Sequence, residues 1–144
     1  MRAIARNAAL VSLALWPAIY AGAREDIQDL FATMGAALTT PNAARFMAAF
    51  DKKMPGFDQL SRDIAALTNQ AEVSSSIEPI KNEGDESERS VDLDWYLEIR
   101  SLQQAGPITH RREVIHCELK KQKSGWKIVA LKPLEFFAPA KLDQ

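Results

Sequence analysis

Val91-Asp92-Leu93-Asp94-Trp95-Tyr96-Leu97-Glu98-Ile99-Arg100 is the stretch that decides the fold of this 144-residue chain. Val91, Leu93, Trp95, Leu97 and Ile99 share one parity, and Asp92, Asp94, Tyr96, Glu98 and Arg100 share the other. Successive strand side chains point to opposite faces, so the stretch is a strand with one apolar and one wet face. The apolar face needs a cover, and the sequence before it supplies amphipathic helices.

Upstream, Arg24–Leu38 carries Ile27, Leu30, Phe31, Met34 and Leu38 at helical spacing, with acids in the first turn where the helix dipole favours them. Thr39-Thr40-Pro41 closes this helix and opens the next, with a hydroxyl at the N-cap and proline at the first helical position. Phe46, Met47, Phe50 and Met54 form the stripe of a second helix that Pro55-Gly56 ends. Asp58 is placed to cap a third, whose buried face is Phe57, Leu60, Ile64 and Leu67. From Ala71 the period changes from helical to alternating. Glu72–Ile80 reads as a strand in which Pro79 suits an edge or a bulge. Lys81–Arg89 is a polar hairpin turn, and its acids lack the ordered oxygen spacing of a calcium loop.

Downstream, Ala105-Gly106-Pro107 turns the chain into Thr109–Lys121, with Glu113, Ile115, Cys117 and Leu119 on one parity. Val114, His116, Glu118 and Lys120 lie on the other. Ser124-Gly125 then leads into Trp126–Leu131, with Trp126, Ile128 and Ala130 on one side. Leu134-Glu135-Phe136-Phe137 is a hydrophobic tail that packs back on the core. Three helices followed by antiparallel strands predict an α+β fold with the helices on one face of the sheet.

The first residues predict a compartment. Arg2 and Arg6 open a short positive start, Ala8–Trp16 is an apolar run, Pro17 breaks it, and Ala21-Gly22-Ala23 offers small residues for cleavage. This is the layout of a secretory signal peptide over residues 1–23, leaving one domain at 24–144. The apolar run is about half of the roughly 20 residues that span a bilayer, so no stable membrane insertion is expected after cleavage. The expected location is periplasmic or extracellular. The formal net charge of −1 lacks the basic footprint of a nucleic-acid binder, and no nucleic-acid partner is expected. Cys117 is the only cysteine, which excludes an internal disulfide. Flanked by apolar residues in a strand, it reads as a small buried hydrophobe.

The helix Phe46-Met47-Ala48-Ala49-Phe50-Asp51, the strand Leu93-Asp94-Trp95, and Gly125-Trp126-Lys127-Ile128 running into Pro133-Leu134-Glu135-Phe136-Phe137 carry a family resemblance. They resemble small exported bacterial members of the nuclear transport factor 2-like superfamily, the cone-shaped α+β fold shared with SnoaL-like cyclases and ketosteroid isomerases. The resemblance implies three N-terminal helices on a curved antiparallel sheet, with an apolar cavity at the open end of the cone. The implied cavity wall draws on Phe31, Met34, Phe46, Phe50, Leu93, Trp95, Leu97, Ile115 and Trp126, while Asp51 is placed either to cap Lys52–Met54 or to point into the cone mouth. The plainer reading is that these side chains fill the core. Members of the superfamily often dimerise through the outer face of the sheet, here populated by Asp92, Asp94, Tyr96, Glu98, Arg100, Arg112, Val114, His116 and Glu118, a mixed face that fits a homodimer interface as well as plain solvent.

Residues of the types such enzymes use are present but face the wrong way. Asp94 and Tyr96, the types of an isomerase base and donor, lie on the wet parity. Asp92, Asp94 and Arg100, the types of an Asp–Arg–Asp hydrolase, share that parity, where cross-strand ion pairing explains them. His110 and His116 stand about 20 Å apart along one strand and cannot chelate a common ion. His116 could pair with Glu118 about 7 Å along the same face. No phosphate loop, nucleophile elbow, paired-cysteine motif or His-Glu-x-x-His helix is present. No catalytic residue, metal ligand or cofactor is assigned from the sequence. The expected function is non-enzymatic binding of a small apolar ligand or a protein partner. The alternative is an isomerase, cyclase or dehydratase acting on a hydrophobic ring compound.

Overall fold

The computed structural model describes residues 22–103 and 106–139; of the signal-peptide pattern over residues 1–23, all but the last two residues lie outside the described residues. A helix over 22–39 (α1) leads to α2 (Ala43–Met47) and α3 (Phe57–Gln70), followed by β1 (Ala71–Gly84), β2 (Glu88–Ser101), β3 (Ile108–Gln122) and β4 (Gly125–Lys132). A 3-10 turn at Leu134–Phe137 ends the described chain's regular structure. The sheet is antiparallel in the order β1-β2-β3-β4, with all helices on one face. This is the expected α+β class. No helix among the described residues is long and apolar enough to cross a membrane.

The alternation of β2 sets the layers. Val91, Leu93, Trp95, Leu97 and Ile99 are buried, and they meet Ile27, Phe31, Met34 and Leu38 of α1 and Leu60, Ile64 and Leu67 of α3 in one core. Trp95 sits at its centre, edge-on to Phe31 at 6.4 Å and to Phe137 at 5.0 Å between ring centroids. Such T-shaped pairs set the positive ring edge against the negative face. The tail folds back as expected, burying Phe136 and Phe137. Arg111 holds it there by donating to the Phe136 and Ala138 carbonyls at 2.9 and 2.6 Å.

Several local expectations are corrected. The N-cap of α2 is Asn42, whose side chain accepts from the Arg45 amide at 3.0 Å, one residue beyond Pro41. The second helix stops at Met47 rather than running to Met54. Its continuation is captured by the edge of β4, where Ile128 donates to the Ala49 carbonyl at 2.8 Å and accepts from the Asp51 amide at 2.9 Å. Asp58 lies inside the first turn of α3; the N-cap is Gly56, with φ of 83° and no room for a Cβ beside Leu134. In β4, the register with β3 skips Val129, so Leu131 rather than Ala130 turns inward. The bulge reverses the parity that the sequence alone suggests. The bulge expected at Pro79 is present, the β1–β2 register shifting between Pro79 and Lys81. The hairpin at Gly84 requires glycine: φ is 139°, and a Cβ would fall 2.2 Å from the Glu88 carbonyl oxygen.

Candidate functional site: an apolar trough and a polar outer face

α1 crosses the sheet close to its β1 edge because its flank there is made of small residues. A Cβ on Gly35 would lie 3.5 Å from Ile77 Cδ1 and 3.7 Å from Ser75 Oγ. Between the two elements lies a half-open trough of about 430 Å³. Ile27, Phe31 and Ala32 of α1 face Ile77, Pro79, Val91 and Leu93 across it. The volume lies within the roughly 300–1,000 Å³ typical of small-molecule sites. The polar groups in its wall are Gln28, Thr39, Ser75 and Asn82, and no lining side chain is ionisable. Three of these are already engaged, Thr39 Oγ1 by donating to the Gly35 carbonyl at 3.2 Å. Ser75 Oγ accepts from Trp95 Nε1 at 2.8 Å, and Asn82 Oδ1 accepts from Arg89 Nε at 2.7 Å.

Of the residues that the resemblance placed in a cavity wall, Phe31 and Leu93 line the trough. Met34, Phe46, Phe50, Trp95, Leu97 and Ile115 are buried in the core, each no more than 4% exposed. Trp126 is buried at the far side beside β4, lining a shallow depression with Asp26 and Lys127. Asp51 stands outside the trough. Its carboxylate accepts from the Lys53 amide and from Gln122 Nε2, both at 2.8 Å. The Lys53 amide, with help from Gln122, holds this carboxyl below its ordinary value. It caps a turn. The aromatic cluster around Trp95 therefore fills the centre of the cone, and the apolar trough lies to the side, against β1. The residues missed by sequence reasoning, Ile77, Pro79, Ala32 and Gly35, sit in a strand of weak alternation or are small.

The outer face of the sheet carries the ionisable groups. Asp94 accepts twice from Arg112, at 3.0 and 2.7 Å, and this pairing draws its carboxyl below the ordinary range. Tyr96 hydrogen-bonds and stacks with His110. His116 lies between two carboxylates, with Nδ1 2.6 Å from Asp92 and Nε2 2.9 Å from Glu118. Both acceptors are carboxylates, so only the doubly protonated imidazolium satisfies both contacts. The Asp92 hydrogen bond, then that of Glu118, raises the His116 pKa above its ordinary 6.5 against a smaller opposing effect of burial. The Asp92 contact needs the β2–β3 register, which pairs Asp92 with His116, and spacing along one strand cannot reveal it.

A raised folded-state pKa stabilises the fold fully below the unfolded value, and the gain is lost as pH rises through the folded value. We therefore expect the urea midpoint of the native protein to fall relative to His116→Asn as pH rises above about 6.5. The groups are part-exposed, so the effect should be about 1 kcal/mol or less. A difference independent of pH would contradict the charged pairing.

Cys117 is fully buried, and burial, with Asp92 and Glu118 nearby, pushes its thiol far above the ordinary value. Only the thiolate is nucleophilic. A thiol-specific reagent at neutral pH should leave the folded protein unlabelled and label it stoichiometrically in denaturant; fast native labelling would overturn this placement. Among the described residues, no group of three His, Cys, Asp or Glu side chains is arranged to hold a metal ion.

No protein-family model matches the chain, and no curated protein matches its sequence. Solved structures match its fold. A nuclear transport factor 2-like superfamily protein from Salmonella enterica serovar Typhimurium LT2 superposes with a TM-score of 0.66 at 12% identity, covering 84% of this chain and 94% of that one. A nuclear transport factor 2-like protein with a cystatin-like fold from Novosphingobium aromaticivorans gives 0.63 at 14%, covering 85% and 86%. A type 2 hexachlorocyclohexane dehydrochlorinase gives 0.63 at 14%, covering 76% and 82%. The chain has the nuclear transport factor 2-like fold. That fold serves more than one function, and likeness at this identity carries none of them across.

Proposed function

We propose that this chain is a non-catalytic binding domain, exported by a leader over residues 1–23, whose binding site is the trough between α1 and β1. Its ligand presents apolar groups, either as a small molecule or as a segment of a partner protein. One observation carries the reading: the trough is lined by Ile27, Phe31, Ile77, Val91 and Leu93, and its wall holds no acid, base or thiol that could move a proton or activate the Ser75 or Thr39 hydroxyl. Proton transfer needs a titratable group within hydrogen-bond reach of the substrate. The acids and histidines nearest to such a role, Asp92, Asp94, Glu118 and His116, point from the opposite face of the same sheet. That outer face, with Ile108 and Val114 exposed among its ion pairs, is proposed to pair with a second copy of the chain.

The test is titration of the protein with Nile red, a neutral apolar dye whose fluorescence rises out of water. Saturable binding to one site is expected, weakened tenfold or more by Ile77→Lys, because the ammonium would be placed among apolar groups without a partner. Binding that is unsaturable or indifferent to Ile77→Lys contradicts the proposal. Turnover of a ring substrate that Ile77→Lys abolishes would restore the isomerase or dehydratase reading.

A further inference from the structure

Among the described residues the sheet's two outer edges differ in their cover. Ala49–Asp51 covers the outside of β4 through its two backbone hydrogen bonds with Ile128. β1 pairs with β2 on one side, and among the described residues no strand flanks its other side. An unpaired edge of this kind is a template for another extended chain, and proteins usually blunt it with proline, bulges or inward charges. Here the blunting is confined to one end. Pro79 and the bulge after it stop the regular stretch, leaving Ala71–Glu78 in unbroken register with β2 and free of proline.

The cover over this stretch thins along its length. On the helix-facing row, Ala71 and Val73 are buried, Ser75 and Ile77 are half-buried, and Pro79 is exposed. The trough begins where that cover thins, so edge and trough run side by side. A strand added to β1 would lie about 4.8 Å away, with alternate side chains directed to the helix-bearing side. The short side chains of Ala32, Gly35 and Ala36 leave room for them on the α1 flank. On the opposite row, Glu72, Ser74, Ser76 and Glu78 are exposed, and neither glutamate belongs to an ion pair among the described residues. The two charges stand at the ends of one seven-residue register.

From the open edge, the adjoining trough and these two carboxylates, we propose that β1 docks an extended peptide as a fifth strand. Its apolar side chains enter the trough at alternate positions, and its basic side chains meet Glu72 and Glu78. This rests on the trough being a binding site and names its occupant. Main-chain hydrogen bonds supply affinity in this mode of recognition, and the alternate side-chain pockets supply selectivity.

The probe is the capped peptide Lys-Val-Ser-Val-Ser-Val-Lys, with two derivatives N-methylated on its odd or its even residues. Alternate backbone amides of a strand point to opposite sides, so one derivative presents methyl groups to β1 and the other to solvent. The parent peptide and one derivative should bind alike, and the other should bind tenfold or more weakly. Hydrogen exchange within Ala71–Glu78 should slow on binding. The pair Glu72→Gln and Glu78→Gln should weaken binding severalfold and flatten its salt dependence. Equal binding by both derivatives, or peptide binding without slowed exchange in β1, overturns the proposal. If Nile red binds and the peptide does not, the peptide assignment fails while the trough stands as a small-molecule site. If neither binds, both readings fail.

Discussion

Replacing Trp95 with alanine should lower the unfolding free energy by about 3–5 kcal/mol. The indole is fully buried and packs against Phe31, Phe46, Phe136 and Phe137 with centroids between 5.0 and 6.4 Å away. Its removal deletes the largest fully buried side chain and leaves a void that neighbours on rigid strands fill only in part. Domains have about 5–15 kcal/mol of stability in total, so the variant should unfold at much lower urea concentration or fail to accumulate. The lost hydrogen bond to Ser75 adds less, since the serine already stands at the trough, where its hydroxyl can bond to water. Trp95→Phe separates the two effects. It keeps most of the ring packing and should cost clearly less than Trp95→Ala; equal losses would mean that the aromatic cluster is not what holds the core.

Phe137→Ala should cost a similar amount, about 3–5 kcal/mol, although the residue lies in a four-residue 3-10 turn near the end of the chain. Terminal segments usually tolerate change unless they are tied down. This one is tied twice: Phe137 is fully buried at 5.4 Å from Phe46 and 5.0 Å from Trp95, and Arg111 grips the carbonyls on either side of it. Burial also draws the Arg111 guanidinium below its ordinary value, although it stays charged at neutral pH. Denaturant unfolding of Phe137→Ala should remain a single transition with a lower midpoint. An unchanged midpoint would show that the tail only rests on the core.

The two side chains also explain what was legible beforehand. The strict alternation of Val91 to Ile99 identified β2 and its inner face without further help, and the Leu134-Glu135-Phe136-Phe137 run identified a docking tail. Pro79 marked the bulge and the edge because it cannot donate to a sheet ladder. What escaped depended on contacts between distant segments. The shortened α2 answers to Ile128, more than 70 residues away, and the inward turn of Leu131 comes from a bulge in a strand whose composition looks regular.

The trough escaped for a different reason. Large apolar side chains attract attention as pocket walls, yet here they fill the cone, and the space is left beside Ala32, Gly35 and Ala36, which show no hydrophobic signal. In the same way, Asp92 and His116 are 24 positions apart in the chain and meet only through the β2–β3 register.

Amide chemical-shift mapping during titration with Nile red tests the central claim most directly, because it locates binding without altering the protein. Shifts should be confined to the flank of α1 from Ile27 to Thr39, to Ser75–Asn82 of β1, and to Val91 and Leu93 of β2. Shifts centred on His116, Arg112 and Val114 of the outer face, with the trough unmoved, would contradict it.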